Sequence, residues 1–182
     1  MTNGAGSVVN AGKLLINTAF PRLLLPLAAV RTAFFRFLPT VPVYLVFHLA
    51  FGRPWHPQML LSLYFLAAMV VFSWGLAALF ATLQVQFRDT SSFLPYFVRI
   101  WMYVSPVLWA PENLATFGPA LRTCIQLNPM YSMLDGYTQL IQEGSYPPPV
   151  IWLSSAAWAA GVAALGCLYF LSREREFAIR LD

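Results

Sequence analysis

The chain reads as an all-α polytopic membrane protein, with about four transmembrane helices and two short outer helices that are re-entrant or interfacial. Three observations carry this reading. Of the 182 residues, 59% are hydrophobic and only 10% are charged, too few to cover a soluble domain of this size. Two stretches, 59–83 and 150–171, run for 25 and 22 residues without a charge, and a bilayer core needs roughly 20 apolar residues as helix. The basic residues are also sorted by side, as shown below.

The first span is placed at 27–51. Its clean apolar part, 37–51, would reach only about 22 Å at helical rise, so it must borrow the residues from Leu27 onward. Arg31 and Arg36 then fall near its start, where long side chains can reach the headgroups, and Pro39 and Pro42 should kink it. The second span, 59–83, is the plainest. The third, 93–109 (FLPYFVRIWMYVSPVLW), is short, broken by Pro95 and Pro106, rich in aromatics, and carries Arg99 in its middle. The fourth, 150–171, holds the row Ala157, Gly161 and Leu165 beside Ala160 and Ala164, which reads as close helix approach or as ordinary span composition.

Four crossings put 1–26, 84–92 and 172–182 on one side, with Lys13, Arg22, Arg88, Arg173, Arg175 and Arg180. Only Arg53 and Arg122 fall on the other. Six against two makes the first side cytoplasmic. The outer side then has a short loop, 52–58, and a long stretch, 110–149. In that stretch Asn128 and Pro129 read as an N-cap and a first-turn proline, followed by Met130, Met133, Leu134, Tyr137, Leu140 and Ile141 at helical spacing. A further short helix at 119–127 precedes them, and the proline-rich 146–149 ends the element. The whole chain, 1–182, forms one transmembrane domain, with no signal peptide at 1–12.

No phosphate loop, zinc-protease motif or metal-spaced cluster is present, and Cys124 and Cys167 frame no disulfide pattern. His48 and His56 read as interfacial and loop residues without chemistry. No catalytic residue and no metal ligand is assigned. The small net charge of +4 reflects topology, and nucleic acid is not an expected partner.

Three stretches together carry a resemblance: 19–26 (AFPRLLLP), 86–109 (QFRDTSSFLPYFVRIWMYVSPVLW) and 128–144 (NPMYSMLDGYTQLIQEG). Their order and spacing resemble permease subunits of ABC-type polysaccharide exporters, the class of O-antigen, teichoic-acid and galactan exporters. The likeness runs from about Val8 to the tail. Members of that family have six spans, an amphipathic helix before the first, and two outer re-entrant helices. Set against that pattern, the chain starts near the end of the family's second span. A second departure is Thr138, where related chains often place an arginine after the aromatic at about Tyr137.

The resemblance implies the membrane subunit of an ATP-driven exporter of lipid-linked polysaccharide in the bacterial plasma membrane, with a cytoplasmic C-terminus. Its partners would be two copies of a cytoplasmic ABC ATPase, a second permease copy and membrane lipid. ATP and Mg would bind the ATPase, and no cofactor would bind this chain. Phe20, Pro21 and Arg22, on a coupling helix, and Arg88 and Asp89 would contact the ATPase. Tyr96, Arg99, Trp101, Tyr103 and Trp109 would line the substrate path, with aromatic faces stacking on sugar rings, although aromatics near span ends also form an interfacial belt. Asn128, Pro129 and Tyr137 would mark the outer re-entrant turn. Arg99 would meet the lipid pyrophosphate, face a wet cavity, or pair with an acid on a neighbouring helix. Two alternatives are a permease of the same family for a drug or small lipid, and a membrane enzyme of polyprenyl-phosphate metabolism.

Overall fold

The computed structural model describes residues 4–7, 22–87, 89–109 and 118–180, with side chains described as far as Glu174. The described residues form helices and connecting turns, without strands. In chain order these are α1 (Leu24–Phe37), α2 (Thr40–Ala50), a 3-10 turn (Pro57–Leu61), α3 (Ser62–Gln86), α4 (Thr90–Val104), α5 (Pro119–Gln126), α6 (Pro129–Thr138), a π-helical turn (Gln139–Glu143) and α7 (Pro149–Arg180). An all-α membrane protein is therefore what the chain folds into.

Among the described residues, three helical stretches are long and apolar enough to cross a membrane: Leu24–Ala50, Pro57–Gln86 and Pro149–Glu174. The first is broken at Leu38 and Pro39, because proline has no N–H to continue the ladder. Pro42, also expected to kink it, is absorbed in the first turn of α2, where amide donors lack partners in any helix. The remaining expected crossing is covered only by α4, whose 15 residues rise about 22 Å.

The packing explains how so short a helix serves. α3 and α7 make the most extensive contact in the molecule and run parallel. The Tyr64 hydroxyl near the start of α3 donates to the Trp152 carbonyl near the start of α7 at 2.8 Å. Towards their other ends, the Tyr169 hydroxyl donates to Gln86 Oε1 at 2.7 Å. Two parallel spans require the chain between them to return to the level where it began. α4 begins that return, its Phe97 meeting Phe80 and its Trp101 meeting Phe72, so it climbs antiparallel to α3, and α6 continues it from Asn128 beside Trp101 to Gly136 against Phe65. The first span also runs antiparallel to α3, with Leu23 and Leu25 against Ala78, Ala81, Val85 and Phe170, and Tyr44 and Trp55 facing a cavity shared with Leu60 and Leu63.

α3 and α7 meet at their glycines. A Cβ on Gly166 would lie 2.0 Å from the Gly75 carbonyl oxygen, and one on Gly75 would lie 2.5 Å from Ala163 Cα. Close approach is thus made by Ala159, Ala163 and Gly166. The row read from the sequence, Ala157, Gly161 and Leu165, lies on the other side of α7 and lines an open groove, and a Cβ on Gly161 would touch nothing. Small residues on both faces of a helix look alike in sequence; only the partner's backbone tells them apart.

Candidate functional site: the α4 stripe and the outer helices

α4 is more sharply two-faced than the helices of the three membrane-length stretches. Leu94, Trp101 and the following Ser105, at helical spacing, turn towards the rest of the chain, with Leu94 and Ser105 fully buried. Phe97 bridges the faces and continues the ring ladder to Trp101 at 5.6 Å. On the opposite side Tyr96, Arg99 and Tyr103 follow one another at i, i+3 and i+7, so they share a stripe. That stripe is uncovered: Tyr96 is 66% and Tyr103 61% exposed. Arg99 is exposed too, and no described side chain pairs with it.

The five residues read as a path therefore divide. Tyr96, Arg99 and Tyr103 stand together on the outward stripe. Trp109 joins them through its indole N–H, which donates to the Tyr103 carbonyl at 3.1 Å. Trp101 faces the other way and holds the fold, packed on Phe72 and donating its indole N–H to Asn128 Oδ1 at 2.8 Å.

Asn128 caps α6 as its sequence suggests, with Oδ1 accepting from the Met130 amide at 3.1 Å. The same side chain donates from Nδ2 to Ser105 Oγ at 2.9 Å, and Ser105 Oγ donates to the Trp101 carbonyl. The Ser-Pro that ends α4 and the Asn-Pro that starts α6 thus form one buried polar node. Pro129 sits at the first position of α6, fitting a site whose amide would have no helical partner. Tyr137 faces a cavity of about 390 Å³ shared with Tyr44, Trp55 and Ile141.

The residues assigned to ATPase contact are only partly visible. Phe20, Pro21 and Arg88 lie outside the described residues. Arg22 is in a turn before α1, and its Nη1 donates to the Glu174 carbonyl on α7 at 2.6 Å. Asp89 is exposed just before α4, and its backbone carbonyl accepts from Ser92 and Phe93. Arg22 and Asp89 belong to the same end of the molecule, since α1 begins where α3 ends.

Comparison with known proteins returns the same kind of protein three times. A Myxococcus xanthus protein called O-antigen export system permease protein RfbA is 27% identical over 177 residues, which is 96% of this chain and 67% of that protein. Two Klebsiella pneumoniae proteins of the same name are each 28% identical, over 144 and 145 residues, covering 79% of this chain. This chain is similar to O-antigen export permeases. It spans about two thirds of the Myxococcus protein and a little over half of the Klebsiella ones (54% and 55%). No protein-family model matches it.

α6 holds a buried acid that its sequence did not single out. Asp135 lies on α6, 5% exposed, hydrogen-bonded to Tyr131 and Gln139. Burial pushes its carboxyl above the usual range, Glu143 adds to the rise, and the two hydrogen bonds oppose it. The Tyr131 hydroxyl, half-buried, is pushed up to about 12 by that burial and by the Asp135 carboxylate. Because folded Asp135 holds its proton more tightly than the unfolded chain, its effect on stability favours low pH. That contribution is lost as pH rises from the unfolded value of about 4 through the raised folded value. Asp135→Asn should flatten this slope between pH 4 and 8 while keeping the partners of the amide. Thermal unfolding in detergent across that range checks it, and an unchanged slope would refute the assignment.

Proposed function

We propose that the chain is the membrane subunit of an ATP-driven exporter of lipid-linked polysaccharide, working as a pair of permease copies on two copies of a cytoplasmic ABC ATPase. The observation that carries this reading is the uncovered Tyr96, Arg99 and Tyr103 stripe, directly opposite the packed face of α4. A helix devoted only to anchoring in lipid has no reason to keep an arginine there, since one at mid-membrane costs about 2.5 to 3.5 kcal/mol on insertion scales. A hydrated path between two copies offsets that cost. The guanidinium then meets the lipid pyrophosphate as an anion, and the tyrosine faces hold sugar rings weakly and repeatedly.

The chain's residues make no covalent bond in this scheme. ATP and Mg bind the partner ATPase, whose closure is felt at the end that carries Arg22 and Asp89. The hydrogen bond from Arg22 to the α7 backbone passes that movement to the α3 and α7 pair. The bias of basic residues sets this end, with the C-terminus, in the cytoplasm of a bacterial plasma membrane.

Replacing Tyr103 by alanine, alone and with Trp109→Ala, should lower surface polysaccharide roughly two- to tenfold at equal membrane levels of the protein, the effect of losing one or two stacking faces. Arg99→Gln should reduce it further. Unchanged export in all three variants would reject the α4 path.

A further inference from the structure

At the end of the first span, away from Arg22 and Glu174, a cavity of about 220 Å³ is lined by Tyr44, Phe47, His48, Phe51, Arg53 and Gln142. His48 is 4% exposed, and its Nε2 is buried without a hydrogen-bond partner. Its other ring nitrogen, Nδ1, lies 3.1 Å from the Tyr44 hydroxyl. When that hydroxyl donates to Nδ1, the imidazole proton sits on Nε2, and the unpartnered atom is a donor in want of an acceptor. The edge contact with Trp55, ring centroids 4.5 Å apart, holds the imidazole in place.

Arg53 supplies the charge. Its helix closes as a Schellman turn: Gly52, with φ of 59°, donates to the Leu49 carbonyl, and the Arg53 amide donates to that of His48. This turn returns the arginine towards the cavity. Its side chain is exposed and makes one long contact, Nη1 to the Gln142 carbonyl at 3.5 Å, which leaves most of its donors unused. Among the described residues no acid lines the cavity, and the nearby Glu143 carboxylate accepts from Ser145 Oγ at 3.0 Å. Beside these donors, Phe47 and Phe51 stack on one another while 57% and 76% exposed, presenting an apolar surface at the span end.

We infer that Arg53 and His48 form a binding site for a phosphate oxyanion at the membrane surface, with Phe47 and Phe51 receiving the acyl chains when the phosphate belongs to a lipid. A cation and a neutral donor, with no carboxylate among the described residues that line the cavity, select an anionic oxygen, and the adjoining rings select an amphiphile. The site is separate from the α4 stripe. Its binding is read without ATPase or cargo, so it stands or falls independently of export.

The test uses the full chain purified in dodecyl maltoside in phosphate-free buffer, with thermal unfolding followed as phosphatidylglycerol or inorganic phosphate is added. Phosphatidylglycerol should raise the midpoint saturably, and Arg53→Gln should need about tenfold more lipid for the same shift. His48→Phe, which keeps the ring against Trp55 but removes the donor, should weaken binding in the same sense. Arg53 is exposed in a turn, so its variant folds even if the His48 variant does not. A matching, Arg53-dependent shift with inorganic phosphate would support the same site with a soluble ligand. No shift with either ligand, or a lipid shift unchanged by Arg53→Gln, overturns the inference.

Discussion

Gly166→Leu should leave almost no folded chain, and even Gly166→Ala should cost roughly 3 to 5 kcal/mol, at the upper end for overpacking. The reason lies in what the new atom would meet. At Gly166 the nearest neighbours are the carbonyl oxygen, carbonyl carbon and Cα of Gly75, at 2.0, 2.7 and 3.1 Å from an added Cβ. None of these can rotate aside, because all are backbone within α3. The two spans would have to separate, and with them the clusters of Ala78, Ala81 and Phe170 at one end and Phe72, Met133 and Ala159 towards the other. Gly161→Ala is the matched control. It adds the same atom on the same helix where nothing lies within 4 Å, and it should be neutral. Yield of monodisperse protein and its melting midpoint decide the matter. Wild-type melting in Gly166→Ala would show that α3 and α7 do not meet at these glycines.

Asn128→Ala should cost roughly 3 kcal/mol. About 1 kcal/mol is the lost helix cap, and the rest comes from the Trp101 indole N–H and Ser105 hydroxyl left short of a partner in a buried setting. The consequence reaches beyond α6. Trp101 is the inward anchor of α4, so its release should loosen the helix that carries Tyr96, Arg99 and Tyr103. Asn128→Asp should restore the cap but not the bond to Ser105 Oγ, since a carboxylate cannot donate, and should fall between the two. Melting of the three proteins in detergent checks the order. An alanine variant as stable as the parent would dissolve the node.

Much of this fold was legible in the chain because its solvent imposes simple rules. Charge-free length marked 59–83 and 150–171, and the structure extends each by only a few residues within the membrane-length part, to Pro57–Gln86 and Pro149–Glu174. Asn128 and Pro129 announced a helix start because cap chemistry is local to four residues. Pro39 announced a break for the same local reason. The candidate site was legible only in part. Tyr96, Arg99 and Tyr103 share a stripe that helical spacing alone could have separated from Trp101, yet which face is packed depends on where Phe72 and Phe80 stand. Asp135 gave no signal, being one polar position among apolar ones at an unremarkable spacing. His48 gave little: Tyr44 stands one turn before it on the same helix, but Trp55 and the cavity appear only once the turn at Gly52 folds back.

Composition and pattern were enough to decide that the chain lives in a bilayer, where its helices start, and which end collects the basic residues. These follow from short-range chemistry: hydropathy over one helix length, a missing amide, a capping side chain. Contacts between segments distant in sequence decided the rest. They made α3 and α7 parallel, which obliges α4 and α6 to share the return between them, and they joined Ser105 to Asn128, where the one hands over to the other. Interatomic fit at a glycine, or a donor left without an acceptor, exists only when two remote pieces of backbone are brought within a few ångströms, and no local rule contains that distance.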